Sequence, residues 1–177
     1  MRQRKPDPVK LLISIFTGEE RLFSEVLLML KERFGEMDLL SERLDFPDTD
    51  YYEDEFGKGI KRKIASFDRL IGPEELSAIK VFTNGIEEGL SKDGKRRVNI
   101  DPGYIALEKF VLASCKNFSH RIYLKDSVYA DLTLIYEGRV YRALEWTYPD
   151  YKEQRMQDIL MEVRKRYAFS LGKGLHG

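Results

Sequence analysis

Apolar residues recur along this chain at two spacings, every second residue in some stretches and every three or four in others. The order of those stretches leaves few ways to bury them together. Val9 to Thr17 comes first. Val9, Leu11, Leu12, Ile13, Ile15 and Phe16 are nearly unbroken, as in a strand covered on both faces. Phe23, Val26, Leu27, Leu30 and Phe34 then follow a helical period, with Thr17 and Glu20 at capping-box spacing before them and Gly35 placed to end the helix. Asp38 to Phe46 reads as a second strand stopped by Pro47, and Ile60 to Phe67 as a third, with Ile60, Arg62, Ile64 and Ser66 alternating against Lys61, Lys63, Ala65 and Phe67. Pro73 suits the first turn of a helix whose buried stripe is Leu76, Ile79, Phe82, Ile86 and Leu90. Gly94 closes a turn, and Arg96 to Ile100 is a fourth strand.

The order β-α-β-β-α-β is the split unit of ferredoxin-like α+β folds. Right-handed crossovers place its first and fourth strands at the sheet centre. Residues 7–101 are therefore the expected ferredoxin-like core, and residues 102–169 an extension of helix, β-meander and helix. Asp101-Pro102 has the form of an N-cap and first-turn proline, with Tyr104, Leu107, Val111 and Cys115 on one helical face. His120 to Leu124, Val128 to Tyr136 and Val140 to Trp146 make the meander. Asp150, helped by Glu153, is the expected cap of a last helix with Met156, Ile159, Leu160, Val163 and Tyr167 inward. Residues 170–177 read as a flexible tail. No repeat or linker divides residues 1–177, so a single domain is expected.

Lys plus Arg and Asp plus Glu each number 30, so no net charge steers the chain toward polyanions, and duplex DNA is not an expected partner. The basic runs Lys61-Arg62-Lys63, Lys95-Arg96-Arg97 and Arg164-Lys165-Arg166 have acidic residues close by and read as solvated faces. One cysteine, Cys115, allows neither an internal disulfide nor a Cys-rich zinc site. No apolar run approaches a membrane span, so no membrane partner is expected and a reducing cytoplasm is the expected location.

Four segments concentrate polar chemistry. The acidic stretch Asp48, Asp50, Tyr51, Tyr52, Glu53, Asp54, Glu55 carries carboxylates that repel one another. Glu53 and Glu55 are its candidate ligands for a hard divalent metal such as magnesium, with Tyr51 and Tyr52 facing a ligand; the plainer reading is a solvated loop. Asn99-Ile100-Asp101-Pro102-Gly103-Tyr104 lies where a strand is expected to feed a helix, so amides near Gly103 would hold an anion with Asn99, Asp101 and Tyr104 around it. Asp101 as a simple cap is the alternative. In Ser119-His120-Arg121, a hairpin tip at Lys125-Asp126 brings His120 near Asp131. That pair has the composition of a general base, and Arg121 that of an anion clamp; a structural pair on a polar sheet face is the alternative. Trp146-Thr147-Tyr148-Pro149-Asp150-Tyr151 supplies aromatics that stack a base or sugar, or simply staple a helix to the sheet. Phosphate-loop, dinucleotide and nucleophile-elbow motifs are all missing.

Together, Asp50-Tyr51-Tyr52-Glu53-Asp54-Glu55-Phe56-Gly57, Asn99-Ile100-Asp101-Pro102-Gly103-Tyr104, Ser119-His120-Arg121-Ile122-Tyr123-Leu124 and Trp146-Thr147-Tyr148-Pro149-Asp150-Tyr151 resemble a prokaryotic family described only as a domain of unknown function. Some members carry an automatic GTP-binding label. The resemblance runs from Lys5 to about Tyr167; methionine is commoner in the family where Phe56 stands. It implies a cytoplasmic bacterial or archaeal protein and no particular activity. The GTP label finds no phosphate loop here.

The leading expectation is a small domain that binds, and has the groups to act on, an anionic or phosphate-bearing small molecule. Arg121 and the amides near Gly103 would hold the anion, Glu53, Glu55 or Asp131 a magnesium ion, and His120 the proton, at one end of the sheet. A non-catalytic interaction or homodimerisation module is the alternative, because exposed sheet faces pair and aromatics suit interfaces. Single-stranded RNA binding is a weaker one, since no RNA-type aromatic motif is recognisable.

Overall fold

Every residue of Val9–Thr17 (β1) is buried in the computed structural model, which describes residues 3–45, 56 and 59–172. Helix α1 (Glu20–Phe34) follows, then β2 (Met37–Leu40), β3 (Leu44–Asp45) and β4 (Lys61–Ile71). A 3-10 turn at Pro73–Glu75 leads into α2 (Leu76–Gly89). Then come β5 (Asn99–Ile105), β6 (Lys109–Ser114), β7 (Arg121–Lys125), β8 (Val128–Glu137) and β9 (Val140–Ala143). A short α3 (Pro149–Lys152) and α4 (Gln154–Ser170) complete the α+β chain. No described helix is long and apolar enough to cross a membrane.

The strands form one antiparallel sheet in the order β2-β4-β1-β5-β6-β8-β7, with β3 on β4 and β9 on β8. Successive residues of β1 point to opposite faces. Val9, Leu11, Ile13 and Ile15 pack under α1 and α2, with Phe23, Val26, Leu30, Ile79 and Ile86. Leu12 faces the other way, with Ile64, Ile105, Phe110, Leu112 and Leu134, and α4 covers that face through Met156, Leu160, Val163 and Tyr167. Helices on both sides explain why β1 carries no alternation.

Several expectations need correction. The helix expected from Asp101-Pro102 through Cys115 is the hairpin of β5 and β6, closed by the Ala106 N–H donating to Lys109 O. Pro102 is tolerated there because β6 pairs only Gly103 to Ile105. Its nitrogen points to the same side as the Ile100 N–H, which donates to a side chain of α2 and not to a strand. The strand expected over Asp38–Phe46 is split into β2 and β3. Thr17 belongs to β1 and does not box α1; its hydroxyl accepts the Glu19 N–H and donates to Arg97 O. Asp150 sits inside α3, and α4 starts after Glu153 without a side-chain cap. The β7–β8 tip falls one residue later than expected, at Asp126-Ser127, and the β8–β9 tip is Gly138-Arg139, with positive φ at both residues of each, as two-residue hairpins of matching twist require.

Candidate functional site

The segment Trp146 to Tyr151 lies as a strap across the α4-side face of the sheet, tying its two halves together. At one end β7 and β9 leave a gap along β8. Trp146 Nε1 donates to Leu132 O at 2.8 Å, and the Thr147 hydroxyl donates to Thr133 O at 2.5 Å, so the strap satisfies carbonyls that a strand would otherwise take. His120 stacks on Trp146 with ring centroids 4.9 Å apart and planes 9° from parallel. His120 Nε2 lies 3.2 Å from Asp131 Oδ2, and Arg121 Nε donates to the same oxygen at 2.9 Å. The remaining Arg121 donors go to Lys116 O at 2.9 Å and to the Tyr148 hydroxyl at 2.6 Å. Arg121, not His120, stands directly opposite Asp131 in the ladder. Burial lowers the Arg121 pKa, but Asp131 and Tyr148 outweigh it, so the guanidinium stays charged. Arg121 is thus engaged on three sides, by Asp131, by the Lys116 carbonyl and by Tyr148 of the strap.

At the other end Asp150 pairs with Arg62 of β4, both largely buried. The Arg62 guanidinium sits 5.6 Å from the Phe16 ring centre and 5.5 Å from that of Tyr151. Burial lowers its pKa, and Tyr151 and Asp150 more than restore it. Tyr151, wholly enclosed, has its phenol pushed far up by desolvation. Leu44, Asp45, Arg62, Asp150, Glu153, Arg155 and Met156 line an open cleft of about 180 Å³ here. Phe56 packs edge-on against Phe16, with Arg96 5.4 Å from its ring centre.

Asn99 and Asp101 fall in a third group, beside the first half of β5. Lys80 of α2 donates to Ile100 O at 2.9 Å and Asp101 Oδ1 at 3.1 Å, and Glu87 accepts the Ile100 N–H at 2.6 Å. Asn99 donates to Asp101 at 2.6 Å and accepts from Arg96 at 3.0 Å. Two buried side chains thus replace the strand missing from this part of β5. Burial lowers the Lys80 pKa, but Asp101 and Glu87 raise it further. Desolvation leaves Glu87 above the ordinary glutamate value of 4.5. The folded state therefore holds the Glu87 proton more tightly than the unfolded state does, and stability present below pH 4.5 is lost as pH rises through the folded pKa. A Glu87→Gln variant is expected to remove this slope, about 1.4 kcal/mol per pH unit at most. Urea unfolding between pH 4 and 7 measures it, and a wild type that gains on the variant as pH rises contradicts the assignment.

The sequence segments thus meet in part. Ser119-His120-Arg121, Asp131, Trp146 and Tyr148 are joined by direct contacts; Ser119 itself is exposed in the turn before β7. Asn99 and Asp101 bond elsewhere. Gly103 is buried in the β5–β6 ladder, and half-buried Tyr104 faces α1 and α2, so no helix-start amides await an anion. Tyr51, Tyr52, Glu53 and Glu55 lie outside the described residues. Among described residues no three His, Cys, Asp or Glu side chains group as a metal site. Sequence reading passed over Arg62, Lys80, Glu87, Arg96 and Arg155. For Arg62 a signal existed, because it alternates in phase with Ile64.

A family model described as a domain of unknown function (DUF4416) matches residues 7–167. No curated protein and no solved structure matches the chain.

Proposed function

We propose, for a chain that belongs to the domain-of-unknown-function family DUF4416, that it binds a phosphate-bearing small molecule in the cleft beside Arg62 and Arg155. The observation that carries this reading is a buried guanidinium held between two aromatic rings in a cleft wall, with an exposed arginine on the same cleft. A guanidinium already immobilised loses little entropy on meeting a planar or tetrahedral oxyanion. Asp45, Asp150 and Glu153 share the cleft, so a bare phosphate meets opposing charge. A magnesium complex of the phosphate fits better: Asp45 and Glu153 would take the metal side, with Glu53 and Glu55 a short way along the chain from Asp45. His120, Arg121 and Asp131 do not line this cleft. They set the position of the strap that carries Asp150 and Tyr151.

Thermal-shift measurements with inorganic phosphate, pyrophosphate, nucleotides and sugar phosphates, with and without magnesium, test the reading. A ligand at 100 times its Kd stabilises by about 2.7 kcal/mol. At least one phosphate is expected to raise the melting temperature, more with magnesium. Arg155→Ala is expected to remove most of that shift while leaving the unliganded protein unchanged. A flat response across the panel overturns the proposal.

The same reading takes β1-α1-β2-β4-α2-β5 as a ferredoxin-like split unit; the antiparallel order β2-β4-β1-β5 and right-handed crossover preference support it, with the first and third strands of the unit as its inner pair and not the first and fourth. It takes the cytoplasm as the setting, which suits the exposed Cys115 thiol.

A further inference from the structure

The β7 edge of the sheet carries apolar surface out of proportion to its length. Phe118, Ile122, Tyr123 and Leu124 are 64%, 68%, 59% and 39% exposed within seven residues, and Trp146 and Tyr148 adjoin them at 39% and 44%. Among the described residues β7 pairs with β8 alone, so its outer backbone groups face away from the sheet, the Arg121 N–H being already bonded to Phe118 O. The opposite edge is broken into the short strands β2 and β3, a common way to prevent edge pairing. Beside β7 lies a small core cluster of Leu76, Val111, Ala113 and Val128, with Ala130 and Leu132 only partly covered. Ile122 stands opposite Ala130 and extends that cluster to the sheet edge.

We propose that two copies of the chain form a homodimer by pairing β7 with β7 antiparallel about a two-fold axis through Ile122. A two-fold perpendicular to a sheet must pass through a residue, because opposed side chains share a face. Centring on Tyr123 would set Arg121 against Lys125 of the second copy, two like charges. Centring on Ile122 sets Arg121 against Tyr123 instead, and leaves the bulge between Tyr123 and Lys125 at the end of the ladder. Ile122 then meets its own copy, and the two small clusters become one. The exposed parts of these six side chains, spread over both faces of the edge, come to at most roughly 600 Å² per copy, against the ~800 Å² a partner contributes to a standard interface. A two-fold uses both edges at once, so the assembly closes at two.

Sedimentation and disulfide trapping of the full chain test this together. The wild type is expected to sediment as a dimer at about 50 µM, and Ile122→Lys as a folded monomer with unchanged circular dichroism, while Val140→Lys on the neighbouring β9 stays dimeric. In a Cys115→Ser background, Ile122→Cys is expected to oxidise to a covalent dimer and Tyr123→Cys is not, because residues two apart across a ladder exceed the ~7 Å reach of a disulfide. A monomeric wild type, a dimer indifferent to Ile122→Lys, or cross-linking at Tyr123 in preference to Ile122 each overturns the proposal.

Discussion

Replacing Gly103 with alanine is expected to lower the melting temperature by about 6–12 °C, the shift that ~3 kcal/mol produces in a chain of this size. Gly103 stands in β5 where β6 begins to pair, opposite Leu112 on one side and Leu12 on the other. An added Cβ would lie 2.5 Å from Val111 O, 3.0 Å from a Leu112 methyl and 3.1 Å from the Phe110 ring. The first of these is backbone held in the ladder and cannot swing aside. Relief requires β5 and β6 to part, which would also move the core residues Ile105 and Phe110. Gly85 of α2 is the matched control: its added Cβ meets nothing within 4 Å. Gly85→Ala is expected to stabilise by about 0.5–1 kcal/mol through helix propensity alone. A Gly103→Ala protein as stable as the wild type shows that the approach of the two strands is not tight.

The second large effect falls on the Arg62–Asp150 pair. Removing either charge takes away the counter-ion against which the other is buried, and Arg62→Leu or Asp150→Leu alone is expected to cost about 3–5 kcal/mol. Arg62 also loses its place between Phe16 and Tyr151, so its replacement costs at least as much. The double variant Arg62→Leu/Asp150→Leu is expected to recover most of the loss, since neither charge then needs solvating. Equilibrium denaturation of all four proteins gives the coupling directly, and additive single losses contradict a shared origin. The double variant also separates stability from binding. It keeps the fold but lacks the guanidinium, so the phosphate-dependent thermal shift is expected to disappear with it.

Periodicity made much of the fold legible and misled most between Asp101 and Cys115. Val9–Thr17 announced a strand covered on both faces, and α1 and α4 cover it. The stripes of α1, α2 and α4 were equally clear, because each helix buries one face and local spacing reports which. The stretch from Asp101 to Cys115 deceived for a physical reason. Two short strands joined by Leu107-Glu108 place apolar residues at spacings that also fit a helix, and Asp-Pro imitates a cap. The deciding fact is that β1 offers β5 an open side, which no local window contains.

The candidate site was legible only where partners were near in sequence. His120 and Asp131 belong to one hairpin, so counting back from its tip brought them near each other, although Arg121 and not His120 stands opposite Asp131. The basic runs were read as solvated faces, yet Arg62 and Arg164 are buried, Arg62 against Asp150 and Arg164 with its guanidinium 3.4 Å from the Tyr136 ring centre. Arg62 shows the limit best. Its in-phase position with Ile64 marked an inward side chain, while its counter-ion lies 88 positions away.

Which side chains must leave water is thus written residue by residue, because the spacing of apolar groups is a property of the local backbone. Which charges meet once inside belongs to the path of the whole chain. Lys10 with Asp38, Lys80 with Asp101 and Arg62 with Asp150 are each joined by strand order and by where the strap crosses the sheet. A buried charge demands a partner, and only the assembled sheet says which one stands within reach.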